Sequence, residues 1–339
     1  MMQMTGADLI MKLLERQGIR TVAGVPGGAA LPMYDALTRS ESIHHVLCRH
    51  EQGAGFIAQG MARVSGRPEV CLASSGPGAT NLITAIADAK LDSIPIIALT
   101  GQVPLSMIGT DAFQEVDTYG LTIPITKHNF LVRSAKELLT VIPAAFRIAM
   151  SDRPGPVLVD VPKDVQNQMI SFEDFPDVVV PDAPPPVDIA AVEEAARMIE
   201  AAERPVLYLG GGVIHSGASQ LAVTLAEQAS LPTTMTLMAL GAMPMDHPLA
   251  IGMLGMHGAR YTNYVLEESD LIICVGARFD DRAIGKAAEF CPNAKIIHID
   301  IDPSELHKIK TAHVAIAGDV GQVLGELLPR VKPQLRKRW

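Results

Sequence analysis

The chain has 339 residues, of which 48% are hydrophobic, 19% charged and only 4% aromatic. That balance excludes a disordered chain, and at roughly 150 residues per domain it allows two domains with cores of Ala, Val, Ile, Leu and Met. Twenty-eight basic against 37 acidic side chains leave a formal charge of −9, which argues against nucleic acid or an anionic membrane as the main partner.

Thr5 followed by Asp8 fits a helix capping box, Leu9, Ile10, Leu13 and Leu14 form one apolar stripe, and Gly18 ends that helix. A strand follows over 21–25, closed by Pro26-Gly27-Gly28. The alternation then repeats, with strand 45–48, helix 52–63, strand 70–73, helix 78–91, and strands 94–100 and 157–161. Short apolar strands alternating with helices imply a parallel sheet covered on both faces. The rhythm breaks over 169–188, an acidic, proline-rich stretch that reads as an interdomain linker. A second alternation follows: helix 189–201, strand 205–209, helix 220–229, strands 271–275 and 295–299, and a closing helix over 320–328. The expected fold class is α/β, with two doubly wound parallel-sheet domains at 1–168 and 189–330 and a basic tail at 331–339.

The N-terminus lacks the basic and apolar regions of a signal peptide, and the apolar runs are far shorter than a membrane span, so a soluble cytoplasmic protein is expected. The four cysteines, Cys48, Cys71, Cys274 and Cys291, form no CxxC pair, so zinc and thioredoxin-type readings have no support. Other signatures fail on direct reading. Gly210-Gly211-Gly212 is followed by His215 where a GxGxxG fingerprint needs glycine, His50-Glu51 meets Ala54 where HExxH needs histidine, and Ser75 is not framed as GxSxG.

What remains are three glycine-rich turns at the carboxyl ends of expected strands, at 24–28, 75–81 and 210–213. Ligands bind at that edge of open parallel sheets, and a glycine turn before a helix offers free backbone N–H groups to an anion. Such turns also occur with no ligand, as tight strand-to-helix connections. Glu51, in Arg49-His50-Glu51-Gln52-Gly53-Ala54, is explained locally as a first-turn acid complementing the helix dipole.

Longer strings carry a family resemblance. They are GVPGG at 24–28, CRHEQGAGF at 48–56, SSGPGATNLITAIADAKLDSIPI at 74–96, TGQVP at 100–104 and IGTDAFQEVD at 108–117. RPGPVLVDVPKDVQ at 153–166, GMLGMHG at 252–258 and GARFDDR at 276–282 continue them. Over almost its whole length the chain resembles the large catalytic subunit of bacterial acetohydroxyacid synthase (acetolactate synthase), a thiamine diphosphate enzyme. FIAQGMAR at 56–63 and CPNAKIIHIDID at 291–302 are most similar to the isoenzyme I type.

The resemblance implies a pyrimidine-binding first domain and a Rossmann-like central FAD domain. Glu51 matches the catalytic glutamate, whose carboxyl would bond the pyrimidine N1′ so that the exocyclic nitrogen can take the thiazolium C2 proton. That acid also argues against glyoxylate carboligase, a relative without one at this position. Pro26 falls on a cofactor-contact position. Gly27, Gly28 and Ala29 match the loop facing the reacting carbon, Phe113 and Gln114 match active-site residues, and Lys163 matches a substrate-channel lysine. Arg282, beside Met256 and Asp281, matches the arginine that selects the 2-ketoacid acceptor by charge; read alone, it could equally form an exposed ion pair with Asp280 or Asp281. Arg153, Gly210, Gly211, Gly212, Thr236, Leu237, His257, Gly276, Ala277, Arg278, Asp300, Ile301, Asp319 and Val320 fall on FAD-contact positions.

The implied reaction decarboxylates pyruvate and adds the resulting carbanion to pyruvate or 2-ketobutyrate, on the route to valine, leucine and isoleucine. A dimer or higher homo-oligomer and a small regulatory subunit are the implied partners. The family's Mg²⁺ and diphosphate ligands lie in a GDG motif of a third domain, and no GDG occurs in this sequence. The expectation is a chain that stops at the connection to that domain, supplies no metal ligand and makes no acetolactate alone. Another carboligase, a pyruvate oxidase, or a non-catalytic flavin-binding or subunit-interaction module are the alternatives.

Overall fold

The first turn of the chain's first helix, Gly6–Arg16, is built as its sequence implies. Thr5 caps it by accepting from the Asp8 backbone N–H at 3.1 Å, while the Asp8 carboxylate accepts the Thr5 hydroxyl at 2.6 Å. Leu9, Ile10, Leu13 and Leu14 are buried, and Gly18, at φ +85°, ends the turn beyond the helix. The computed structural model describes residues 1–336 and Trp339, in two compact units, Met1–Asp182 and Ala183–Trp339.

The strands of the first unit are β1 (Met2–Thr5), β2 (Thr21–Gly24), β3 (His44–Leu47), β4 (Glu69–Ala73), β5 (Ile96–Gln102), β6 (His128–Leu131), β7 (Val157–Pro162) and β8 (Met169–Phe172). Six of them make a parallel sheet in the order β3-β2-β4-β5-β7-β6. Every residue of β4, β5 and β7 is buried, which is why these central strands read as mostly apolar runs rather than alternating ones. One face packs on the helices Gly6–Arg16 and Leu138–Met150, the other on Glu51–Ser65 and Ile83–Asp92.

Several elements lie outside the sequence reading. β1 pairs antiparallel with β8, Met2 opposite Phe172, so the start of the segment expected as linker is a strand of the first unit. Neither strand is legible alone, because each is defined by a partner at the other end of the unit. The expected helix 78–91 is two, Pro77–Asn81 and Ile83–Asp92, interrupted at Leu82. The helix Leu138–Met150 contains Pro143, a residue that reads as a breaker, yet Ile142, Pro143, Ala145 and Phe146 are all buried and packing overrides the lost hydrogen bond.

The second unit holds β9 (Pro205–Leu209), β10 (Thr233–Met235), β11 (Ala250–Met253), β12 (Leu271–Val275), β13 (Lys295–Asp300) and β14 (Val314–Ala317), all parallel in the order β11-β10-β9-β12-β13-β14. Of these, β9, β12 and β13 are legible from sequence; β10, β11 and β14 are only three or four residues long. The expected closing helix runs over Val320–Leu327. The basic tail folds back onto this unit. The Arg336 guanidinium donates to Ile199 O at 2.7 Å and to the carbonyls of Ala202 and Ala229, at the carboxyl ends of two helices, and Trp339 Nε1 donates to Pro205 O at 2.8 Å. Lys337 and Arg338 lie outside the described residues. Among the described residues no helix is long and apolar enough to cross a membrane.

Candidate active site

In the first sheet β3 lies on one side of β2 and β4 on the other, so the strand order reverses at the carboxyl ends of β2 and β4. That is where open parallel sheets bind ligands. Two of the glycine turns meet there. Gly27 stands so close to Ser74 that a Cβ on it would lie 2.5 Å from the Ser74 Cβ, and Ser74 Oγ accepts the Ala29 backbone N–H at 3.3 Å. Nothing lies within 4 Å of where a Cβ on Gly28 would sit, so that position faces open space. Pro26 beside it is exposed.

Glu51 opens the helix Glu51–Ser65, capped by His50, whose Nδ1 accepts the Gln52 N–H at 3.1 Å. Its Oε2 accepts from Asn81 Nδ2 at 2.8 Å, and its Oε1 faces Gly78, where a Cβ would stand 3.3 Å away. Capping alone requires neither contact. The carboxylate is tied to the turn after β4, with one oxygen held and the other over a bare glycine. A group held in that way can accept from a ring nitrogen of a ligand. Asn81 and Gly78 were missed as site residues; the signal was their place in the glycine turn, which does not say where their faces point.

The loop after β5 reaches the same turn. Gly76 has φ +54° and Gln114 φ +58°, and a Cβ on Gly76 would stand 2.6 Å from Gln114 O, so only glycine permits this approach. The loop is held from within by the Glu115 carboxylate, which accepts backbone N–H bonds from Gly109, from Ala112 at 3.0 Å and from Thr110 at 3.2 Å. These bonds, that from Gly109 foremost, hold the Glu115 carboxyl below its ordinary value. Asp164 anchors the loop's start by accepting Leu105 N–H at 3.1 Å. Phe113 is 87% exposed. Glu51 and Gln114 therefore flank one turn. Lys163 opens the helix Lys163–Asn167 at the end of β7, and the bonds joining these turns do not include it.

In the second sheet the strand order reverses between β9 and β12. Gly210, Gly211 and Gly212 follow β9, and Gly276, Ala277 and Arg278 follow β12. Gly210 N–H donates to Val275 O at 2.9 Å and Gly212 N–H to Gly276 O at 3.0 Å. Gly276 has φ +57°, and a Cβ there would lie 2.7 Å from Gly212 Cα. Thr236 and Leu237 follow β10; Thr236 Oγ1 is buried without a hydrogen-bond partner and Leu237 is 70% exposed. His257 is exposed in the loop after β11, Asp300 ends β13 and Ile301 follows it. Asp319 caps the helix that Val320 begins, accepting Gln322 N–H at 3.0 Å. Every expected FAD-contact residue of this unit thus lies along one sheet edge. Arg153 belongs to the first unit, where its Nε donates to Ser93 Oγ at 2.8 Å.

Met256, Asp281 and Arg282 are brought together as expected. Met256 N–H donates to Arg282 O at 2.9 Å, and Arg282 Nη1 lies 3.6 Å from Met256 Sδ. Asn263, not anticipated from sequence, clamps this turn through Gly255 N–H at 2.8 Å and Gly255 O at 3.1 Å. The exposed ion pair expected as the alternative for Arg282 is present with Asp281, loosely at 3.9 Å, while Asp280 caps the helix Asp281–Ile284. The cysteines are all free. Burial pushes the Cys71 and Cys291 thiols up to about 12 and the Cys274 thiol well above its ordinary value, so these three are packing groups rather than nucleophiles.

Residues 4–121 match the family model of the thiamine pyrophosphate enzyme N-terminal TPP binding domain, and residues 192–327 that of the thiamine pyrophosphate enzyme central domain. The chain is 64% identical to the acetolactate synthase isozyme 1 large subunit of Escherichia coli over 99% of its own length and 59% of the relative's. It is 51% identical to the probable acetolactate synthase large subunit of Methanocaldococcus jannaschii, over 96% of its own length and 56% of that protein's. With the acetolactate synthase large subunit of Corynebacterium glutamicum it shares 50% identity over 97% of its length and 53% of the relative's. It thus spans somewhat over half the length of these relatives. With a glutamate-bearing first sheet, a glycine-edged second sheet and these matches, the chain belongs to the thiamine pyrophosphate enzymes and carries the N-terminal and central domains of the acetolactate synthase large-subunit family.

Proposed function

We propose that this chain forms part of an acetolactate synthase. The observation that carries the reading is the Glu51 carboxylate, held by Asn81 over Gly78 at the point where the first sheet's strand order reverses. Bound thiamine diphosphate would supply an electron sink for decarboxylation. Glu51 would hold the proton balance at its pyrimidine nitrogen, Gly28 would leave room beside the reacting carbon with Gly27 packed on Ser74, Phe113 and Gln114 would line the substrate side, and Lys163 would lie on the way in. Pyruvate and 2-ketobutyrate are the proposed substrates, and Arg282 pairs with the acceptor's carboxylate.

The second unit fits FAD. The close packing of Gly210, Gly212 and Gly276 on one another, the unpartnered Thr236 Oγ1 and the Asp300 carboxylate at the end of β13 give the tight turns and polar groups a dinucleotide needs at such an edge. Gly211, Leu237, His257, Ala277, Arg278, Ile301, Asp319 and Val320 complete that edge. We assign the pyrimidine-binding domain to the unit Met1–Asp182 and the FAD-binding domain to the unit Ala183–Trp339. Mg²⁺ has no proposed ligand here. A homodimer, a small regulatory subunit and a cytoplasmic location complete the reading.

The test is product analysis with pyruvate, thiamine diphosphate, Mg²⁺ and FAD. The 339-residue chain is compared with the same sequence joined to the remaining C-terminal part of a relative. Acetolactate from the joined protein, lost on Glu51→Gln, supports the reading. Peroxide in place of acetolactate points to an oxidase, and a flavin-loaded protein without turnover points to a binding module.

A further inference from the structure

Beneath the loop that carries Phe113 and Gln114 lies a buried carboxyl with no part in the proposed chemistry. Asp160 on β7 stands opposite Thr100 in the register of β5 and β7 and is 1% exposed. Its Oδ1 accepts the Thr100 hydroxyl at 2.7 Å and its Oδ2 accepts Gln102 Nε2 at 3.0 Å. The same Gln102 nitrogen donates to Val116 O at 3.0 Å, and Gln102 Oε1 accepts Val103 N–H at 2.9 Å. One buried amide therefore grips both ends of the loop 103–116, and the carboxylate orients that amide.

Among the described residues no hydrogen-bonded or ion-paired cation meets Asp160. Asp117, which caps the helix Thr118–Thr122, faces it with like charge. On the elements packed beside it, Lys163 and Asp164 open the helix after β7. His128 begins β6, three residues before the Leu131 that pairs with Asp160. Burial pushes the Asp160 carboxyl up to about 7, opposed by the bonds from Thr100 and Gln102 and aided by Asp117. An ionised carboxylate accepts from both donors, whereas a protonated one keeps both contacts only if the Thr100 hydroxyl turns to accept, and it leaves Gln102 a neutral, weaker bond in place of a charge-assisted one.

We propose that ionised Asp160 is a positioning residue that acts through Gln102 to hold the loop 103–116, and with it Phe113 and Gln114, so that uptake of a proton loosens the loop. That those two side chains meet substrate rests on the proposed function; the hold on the loop does not, and the test reads the loop alone.

Hydrogen–deuterium exchange of loop peptides, corrected for intrinsic rates, is measured on the full chain from about pH 5.5 to 8.5. Loop protection rises with pH around a midpoint near 7, Asp160→Asn flattens the profile, and Thr100→Val, which removes a donor to the carboxylate, moves the midpoint upward. An Asp160→Asn profile that tracks the wild type, or an unmoved midpoint in Thr100→Val, overturns the proposal. Should Asp160→Asn unfold the unit, Gln102→Leu decides with Thr100→Val. It must lower loop protection at every pH while the helix Glu51–Ser65 keeps its own, and an unaltered loop refutes the hold.

Discussion

Glu51 shows how far a single residue type can be read. As the first residue of a helix it is explained by the dipole, and that explanation remains true in the structure. What local sequence does not contain is the Asn81 amide, thirty positions on, which turns a capping acid into an aimed one. Glu51→Gln keeps the size and loses the charge, so acetolactate formation by the complete enzyme should fall about 10²- to 10⁴-fold, the usual weight of a proton-transfer group. Arg282 carries a separate expectation. Its guanidinium is exposed and only loosely paired, so Arg282→Ala should leave stability unchanged. It should lower use of 2-ketobutyrate and of pyruvate as acceptor about tenfold each, the size of one charge-assisted hydrogen bond of ~1.5 kcal/mol, read from the rate of product formation at limiting acceptor.

Elements divide into those that announce their own ends and those that depend on a neighbour. The helix Gly6–Arg16 announces itself: Thr5→Ala should cost about 1 kcal/mol in urea unfolding by removing the cap to Asp8 N–H. The strands β4, β5, β7, β9, β12 and β13 were legible because parallel strands covered on both faces are apolar over most of their length. β1 and β8 were not, since they stabilise each other across the unit. The glycine turns were visible as turns, but only the fold shows which are obligatory. Gly276→Ala combines a left-handed φ with a collision at Gly212 and should destabilise the second unit by about 2 kcal/mol or more, seen as a lower urea midpoint.

At the scale of the molecule, pH acts on the two kinds of carboxyl in opposite directions. Burial pushes the Asp8 carboxyl up, but the Thr5 and Arg39 bonds together outweigh it and hold the group below its ordinary value, so its contribution is lost as pH falls. Asp160 is the reverse. Its native carboxyl sits at about 7 against 3.8 unfolded, so the native state binds the proton more tightly across that window. Stability therefore falls as pH rises between these values, and the cost is fully present above them. Asp160→Asn should gain on the wild type in Tm as pH goes from about 5 to 8, and thermal unfolding at a series of pH values checks the sign. The local hold on the loop and the global cost of the buried charge are two faces of the same group.

The sequence by itself determined the two α/β units, the central strands, the glycine turns at their carboxyl ends and the family strings that run through them. These follow from periodicity, burial on both faces and residue types with few conformational substitutes, all properties of short segments. Only the tertiary structure decided that Asn81 and Gly78 face Glu51, that Gly76 yields to Gln114, that Asn263 clamps the Arg282 turn and that Asp160 stands under the loop. Each of these is a meeting of side chains or backbone from different strands, and the strand order that makes them neighbours is set by the packing of the whole sheet.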